Sequence, residues 1–226
     1  MRYTNPMKTV FITGISRGIG KALAQKFLQE GYAVMGTSLT GTLDFSDNSL
    51  TVFPLDLYDA ASIAKCAEAV GADLGPGSID IFINNAAVLL DEGEPEIIIS
   101  KLQKTLQVNL IGAIDLTQKL LPHIKEGGHI INISSSAGSI SNVHHPDYPA
   151  YKISKAALNM FTSWLAFKLK GKQTVSSIHP GRVRTDLAGG EGEMDPPEAA
   201  EYIFATAIKE GLETGQFWYK GEKFLW

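Results

Sequence analysis

Thr9-Val10-Phe11-Ile12-Thr13-Gly14-Ile15-Ser16-Arg17-Gly18-Ile19-Gly20 is the stretch that decides the fold. Its first five residues are apolar or β-branched without alternation, the pattern of a strand buried on both faces. The three glycines that follow make a turn in which the backbone visits φ > 0 and comes close to whatever lies beside it. Beyond them Leu23, Phe27 and Leu28 recur at helical spacing until Gly31 ends the helix. Ala33-Val34-Met35-Gly36-Thr37 then reads as a second strand. Strand, glycine turn, helix and strand in this order make a βαβ unit. The free N–H groups of its helix can meet an anion such as a pyrophosphate, although a turn needing glycine only for its shape has the same residues.

The alternation continues along the chain. Residues 49–53 form a third strand ended by Pro54, 60–70 a helix, and 79–83 a fourth strand. A long helix covers 102–121 and breaks at Pro122; 129–133 is a fifth strand and 150–169 another long helix. Residues 175–178 give a sixth strand, a helix follows Pro197, and 216–218 reads as a final edge strand. Parallel strands need crossover helices, so the expected fold is α/β: one Rossmann-type, doubly wound parallel sheet with helices on both faces. No repeat, linker or low-complexity tract divides residues 1–226, which are read as one domain. Its strand-to-helix loops gather at one sheet edge, where such folds bind ligands.

Bulk properties narrow the function classes. Lysine and arginine number 20 against 24 acidic residues, a net charge of −4 without basic runs, which argues against a nucleic-acid or anionic-membrane partner. The lone cysteine, Cys66, excludes an internal disulfide and reads as a buried or half-buried thiol. The N-terminal segment has no apolar core of a secretory signal, and no stretch approaches the ~18 apolar residues of a spanning helix. A cytoplasmic protein is expected.

The turn has the spacing T-G-x-x-x-G-x-G, not the commoner G-x-G-x-x-G, and it resembles the short-chain dehydrogenase/reductase family. Further landmarks of that family occur in order over nearly the whole chain. Asn84-Asn85-Ala86-Ala87 is similar to its N-N-A-G segment, with Ala87 replacing glycine. Asp56 and Leu57 match the adenine-side positions after the third strand, with a helix N-cap as the other reading of Asp56. Pro180-Gly181-Arg182-Val183-Arg184-Thr185 resembles P-G-x-V-x-T, which in the family holds the nicotinamide carboxamide. The resemblance therefore implies a cofactor site of Gly14, Ser16, Arg17, Gly18, Ile19, Gly20, Ser38, Asp56, Leu57, Asn84, Ala86, Pro180, Gly181, Val183 and Thr185, joined by Tyr151 and Lys155. At the end of the second strand stands Ser38, where an acidic residue would select NAD. That absent carboxylate, with Arg17 able to face a phosphate, favours NADP (NADPH) over NAD.

Tyr151 and Lys155 form the family's Y-x-x-x-K pair, one helical turn apart. A free phenol titrates near 10, and a neighbouring ammonium is expected to lower that value. Ser135, three residues before Gly138, aligns with the catalytic serine, although three consecutive serines, Ser134, Ser135 and Ser136, leave the register open. Asn109 matches the asparagine that in the family holds a water linked to the lysine. The resemblance implies hydride transfer between nicotinamide and a carbonyl or alcohol, with Tyr151 as proton donor or acceptor and no metal. His144 and His145 are adjacent in the loop before Tyr151 and read as loop or substrate-rim residues; His123, His129 and His179 read as structural.

Arg184-Thr185-Asp186 with the glycine-rich segment after it, Pro196-Pro197-Glu198 and Gly215-Gln216-Phe217 narrows the likeness to the family's carbonyl reductases. A small carbonyl or alcohol substrate is the expected partner. The long helices pair in relatives to give homodimers or homotetramers, while carbonyl reductases include monomers. The competing reading is a nucleotide-sensing regulatory protein of the same fold without turnover, which degenerate catalytic positions would favour; all four are present here. A methyltransferase shares the glycine-rich first unit but has no use for Y-x-x-x-K.

Overall fold

The computed structural model describes residues 7–226. Its first strand places Val10 and Ile12 on one sheet face and Phe11 on the other, each fully buried. Because both faces are covered, the strands need no polar side and read as unbroken apolar runs. The strands are β1 (Thr9–Ile12), β2 (Ala33–Ser38), β3 (Leu50–Pro54), β4 (Ile79–Asn84), β5 (Ile124–Ile133), β6 (Thr174–Ile178), β7 (Gln216–Tyr219) and β8 (Glu222–Lys223). They form one sheet in the order β3-β2-β1-β4-β5-β6-β7-β8, parallel except for the antiparallel β7–β8 pair. Pro54 is the last residue of β3. This is tolerated because β3 is an edge strand with one unpaired side.

The helices are α1 (Gly18–Gln29), α2 (Ala60–Asp73), α3 (Ile99–Leu106), α4 (Ala113–Leu120), α5 (Pro149–Lys168) and α6 (Pro196–Ala207). On one face α1 and α6 pack together over Val10, Ile12, Ile83 and Ile131, and the Phe27 and Phe204 rings meet edge to face with centroids 4.8 Å apart. On the other face α2, α4 and α5 cover Phe11, Phe82 and Ile130. The buried Cys66 belongs to this second layer. Trp218 is buried on the α1–α6 side, and Trp226 stacks on Phe217 at 5.4 Å.

Two elements depart from the sequence reading. β5 begins at Ile124, ahead of His129, because Ile124 pairs with Ile79 of β4; the register then shifts across the exposed Lys125, Glu126 and Gly127, and pairing resumes at His129 opposite Ile81. The long helix expected over 102–121 is interrupted by a π-helical segment at Gln107–Gly112 that contains Asn109. Such wide turns insert an extra residue and re-aim side chains, often at functional sites.

A seam of polar side chains crosses the α4–α5 face. Asn84 donates to Asn132 Oδ1 (2.9 Å) and to Thr117 Oγ1 (3.0 Å). Asn132 donates to Thr162 Oγ1 (2.8 Å), which is 2.8 Å from Ser177 Oγ. All five are at least nine-tenths buried, and these bonds replace the water their groups gave up, save at Asn84 Oδ1, which has no partner among the described residues.

Candidate active site

Thr13 and Thr37 shape the glycine-rich turn. Thr13 Oγ1 accepts from the N–H groups of Asn85 (2.9 Å) and Ala86 (3.0 Å), while Thr37 Oγ1 accepts from Gly14 N–H (3.1 Å). Asn85 Nδ2 donates to the carbonyls of Thr13 (2.9 Å) and Gly14 (3.2 Å). The turn is thus tied to the loop after β4 and to the end of β2. A Cβ on Gly20 would stand 2.1 Å from Gly14 O and 2.5 Å from Asn85 Nδ2, so only glycine fits there. Gly14 and Gly18 hold φ values of +72° and +56°, outside the comfortable range of other residues.

A cleft of about 600 Å³ runs from this turn across the carboxyl ends of the strands. It crosses the point between β1 and β4 where the strand order reverses, the usual ligand crevice of such sheets. Fourteen of the residues expected at the site line it: Gly14, Ser16, Arg17, Gly18, Ile19, Gly20, Ser38, Asp56, Leu57, Ala86, Tyr151, Lys155, Pro180 and Thr185. Asp56 does not cap a helix; Asp59 caps α2 by accepting from Ala61 N–H, and the Asp56 carboxylate accepts from Tyr58 N–H at 2.9 Å. Ser38 is buried and its hydroxyl donates to Thr42 O at 3.0 Å. Arg17 reaches across the mouth of the cleft to Asp186 at 2.9 Å, a pair exposed enough to add little stability.

Five expected residues lie elsewhere. The Asn84 side chain turns under the sheet into the polar seam, and its neighbour Asn85 lines the cleft in its place. Successive strand residues point to opposite faces, so the N-N pair sends one amide each way. Gly181 and Val183 sit behind Pro180, with Val183 buried and bridged to Met194. Asn109 is buried outside the lining: its Oδ1 accepts from Val88 N–H (2.8 Å), and its Nδ2 donates to Val88 O (2.9 Å) and Ser154 Oγ (3.1 Å). Its carboxamide thereby joins the loop after β4 to α5, and the side chain makes no bond to Lys155. Ser135 stands at the edge of the cleft beside Tyr151. The cleft is also lined by Thr37, Leu39, Val88, Lys104 and Val108, which sequence reasoning did not single out as site residues. Lys104 and Val108 are four apart, a weak signal without the fold.

Helix α5 carries the pair. Pro149 opens it, and the buried Asp91 from the loop after β4 accepts from Ala150 N–H at 2.6 Å, fixing where Tyr151 emerges. Lys155 is 2% exposed; its Nζ donates to Ile133 O at 2.8 Å and lies 5.5 Å from the Tyr151 ring centre. Burial pushes its ammonium down to about 7. Burial also pushes the Tyr151 phenol up to about 12, against a smaller opposing effect of a hydrogen bond with Ser135. The lowered tyrosine value expected from a neighbouring ammonium is therefore not a property of the protein alone. Desolvation disfavours the phenolate and the ammonium alike.

Among the three serines, each has a distinct place. Ser134 is buried, 3.5 Å from Lys155 O. Ser136 starts a short 3₁₀ turn. The Ser135 hydroxyl accepts from Ala137 N–H at 3.1 Å, which leaves its own proton free for an oxygen at Tyr151. Tyr148 stands beside them in a left-handed conformation (φ 47°), its N–H bonded to Glu94 O at 3.0 Å and its hydroxyl 2.8 Å from His145 Nε2. His145 thus lies near the active-site rim.

Comparison with known proteins agrees with this geometry. The family model for short chain dehydrogenase matches residues 8–196. Short-chain dehydrogenase/reductase family 9C member 7 of Mus musculus is 32% identical over 193 residues, covering 81% of this chain and 60% of the relative, so this chain spans well under two thirds of that protein. Two carbonyl reductases of known structure are matched over 99% or more of their length. The carbonyl reductase Sniffer of D. melanogaster superimposes with a TM-score of 0.87 at 24% identity, covering 97% of this chain and 100% of that one. The NADPH-bound carbonyl reductase from chicken fatty liver does so with a TM-score of 0.85 at 26% identity, covering 97% and 99%. With the family model spanning the turn, the cleft and the Tyr151–Lys155 helix, the chain belongs to the short-chain dehydrogenase family of oxidoreductases.

Proposed function

We propose that this chain is an NADP(H)-dependent oxidoreductase that moves a hydride between nicotinamide and a carbonyl or alcohol, with reduction of an aldehyde or ketone as the reaction to test. One observation carries the reading: Tyr151, with Ser135 on its oxygen and the buried Lys155 one turn below, stands at one end of a cleft whose other end is a glycine turn that excludes side chains. The residues fit a dinucleotide. The free N–H groups at the start of α1 face the place of the pyrophosphate, Asp56 and Leu57 line the adenine end, and Pro180 and Thr185 line the nicotinamide end. No carboxylate occurs at Ser38, and Arg17 lines the same cleft with its side chain exposed, which supports NADP over NAD. Relatives of known structure hold NADPH, which supports the same choice.

Bound NADPH supplies the hydride. The chain supplies the rest. Ser135 donates to the substrate oxygen with a hydroxyl already polarised by Ala137 N–H, and Tyr151 gives that oxygen its proton. A phenol held near 12 is fully protonated at neutral pH and so ready as an acid. Lys155, poised near 7, regains its ammonium form when negative charge enters the cleft, and an ammonium there stabilises the phenolate left behind. Purified protein should oxidise NADPH faster than NADH with dicarbonyls or aromatic aldehydes. Tyr151→Phe should lower kcat at least a thousandfold while NADPH binding persists. Ordinary turnover by that variant refutes the assignment, and tighter binding of NADH than of NADPH refutes the cofactor choice. A nucleotide sensor of the same fold would bind NADPH and reduce none of these carbonyls.

A further inference from the structure

His179, the residue between β6 and Pro180, does more than fill space. It is buried, and its ring lies 4.8 Å from that of Tyr219 and 5.5 Å from that of Phe224, between the strands of the C-terminal hairpin. Its own N–H donates to Trp218 O at 2.9 Å, so the backbone is fixed at the sheet edge. The Nδ1 atom meets two backbone donors at once: Ser136 N–H at 3.2 Å and Gly181 N–H at 3.3 Å. One lone pair shared by two donors accounts for both bonds being longer than usual. The two donors belong to different loops. Ser136 follows Ser135, which stands beside Tyr151; Gly181 follows Pro180, which lines the cleft.

We propose that His179 is a positioning residue: through Nδ1 it clips the serine loop after β5 to the proline-glycine loop after β6. The clip sets the distance between the group that holds the substrate oxygen and the loop lining the nicotinamide end. This inference rests on the oxidoreductase reading above, since the two loops matter to each other only if substrate oxygen and nicotinamide meet there. Nδ1 must be an unprotonated acceptor for the clip to hold, which fixes the Nε2–H tautomer. Burial disfavours the doubly protonated ring and pushes its pKa down to about 4, so at neutral pH the ring carries a single proton, which the two backbone donors facing Nδ1 leave on Nε2.

Side-chain geometry offers a sharp test. The amide oxygen of asparagine can occupy the place of Nδ1, whereas that of glutamine reaches the place of Nε2 and leucine has no acceptor. All three substitutions remove the ring and its stacking on Tyr219 and Phe224, so a purely packing role lowers all three alike. The expected result is kcat for NADPH-dependent aldehyde reduction within threefold of wild type in His179→Asn. It should fall at least tenfold in His179→Gln and His179→Leu, with the aldehyde KM changed less than threefold. Equal kcat in the asparagine and glutamine variants, or wild-type kcat in the leucine variant, overturns the proposal. A second measurement needs no variant: a two-bond ¹H–¹⁵N spectrum of the intact protein should show Nε2 protonated and Nδ1 bare, and the opposite tautomer overturns the proposal as well. Wild-type protein that reduces no carbonyl refutes the oxidoreductase reading instead, and the tautomer measurement then still decides on the clip.

Discussion

Lys155→Met separates burial from catalysis at the centre of the site. In the folded chain burial holds the Lys155 ammonium near 7, while in the unfolded chain it returns to about 10.5. Between those values the unfolded state binds a proton that the folded state does not, so stability rises with pH. Below about pH 7 both states are protonated and the cost of burying the charge is felt in full; above 10.5 it is gone. One proton is worth up to about 1.4 kcal/mol per pH unit. Cys66 and Tyr151 act oppositely, because burial raises the thiol from 9.0 to about 11 and the phenol from 10.0 to about 12, and each costs stability as pH climbs past its unfolded value. The window from pH 7 to 9 therefore isolates the lysine, and across it the cofactor-free protein should gain about 2 kcal/mol. Urea unfolding followed by tryptophan fluorescence reads this as a rise in midpoint of about 1 M for m near 2 kcal/mol/M. Lys155→Met should show a flat profile and exceed wild type at pH 7, since methionine has no charge to bury. A wild-type midpoint equal at pH 7 and 9, or the same rise in the methionine variant, refutes the reasoning.

The same poise implies that cofactor binding takes up a proton. Calorimetry of NADP binding at pH 8 in buffers of differing ionisation enthalpy should give an uptake approaching one proton, lost in Lys155→Met. Gly138 packs against α5 so closely that a Cβ would lie 2.6 Å from the Lys155 carbonyl carbon. Gly138→Ala should lower stability by about 1–3 kcal/mol and reduce kcat at least tenfold by shifting that helix, which thermal unfolding and steady-state rates will read. Asn132→Ala removes the middle of the polar seam, taking from Asn84 one of its two acceptors and from Thr162 its amide donor; about 1–3 kcal/mol of stability should be lost in urea unfolding, with NADPH affinity unchanged.

The parts of the fold set by hydrophobic period were legible in the sequence. Strands such as 9–13 and 79–83 announce themselves because both faces are buried, and the glycine turn announces itself because Gly20 has no room for a Cβ. What escaped depends on long-range contacts. The short β8 strand has only two residues, Glu222 and Lys223, both exposed, and owes its existence to pairing with β7. The π segment at Asn109 is stabilised by bonds to Val88 and Ser154, which are distant in sequence. Asn84 and Asn85 look interchangeable in a string of letters, yet the pleat sends one beneath the sheet and the other to the cleft. The pairing of Tyr151 with Lys155 is visible in sequence, whereas the burial that raises the phenol and lowers the ammonium in the protein alone is not.

The polar seam from Asn84 through Asn132 to Ser177 has a consequence for how the chain finds its structure. Strands this uniformly apolar could pair in several alignments with similar contact between oily side chains. Sliding β5 by a single residue against its neighbours would turn Asn132 to the α1–α6 side and leave Thr162 facing isoleucine. The seam therefore acts as a key in a lock of otherwise featureless strands: it makes misaligned sheets expensive, and so guides assembly toward the one alignment in which the loops at the upper edge meet.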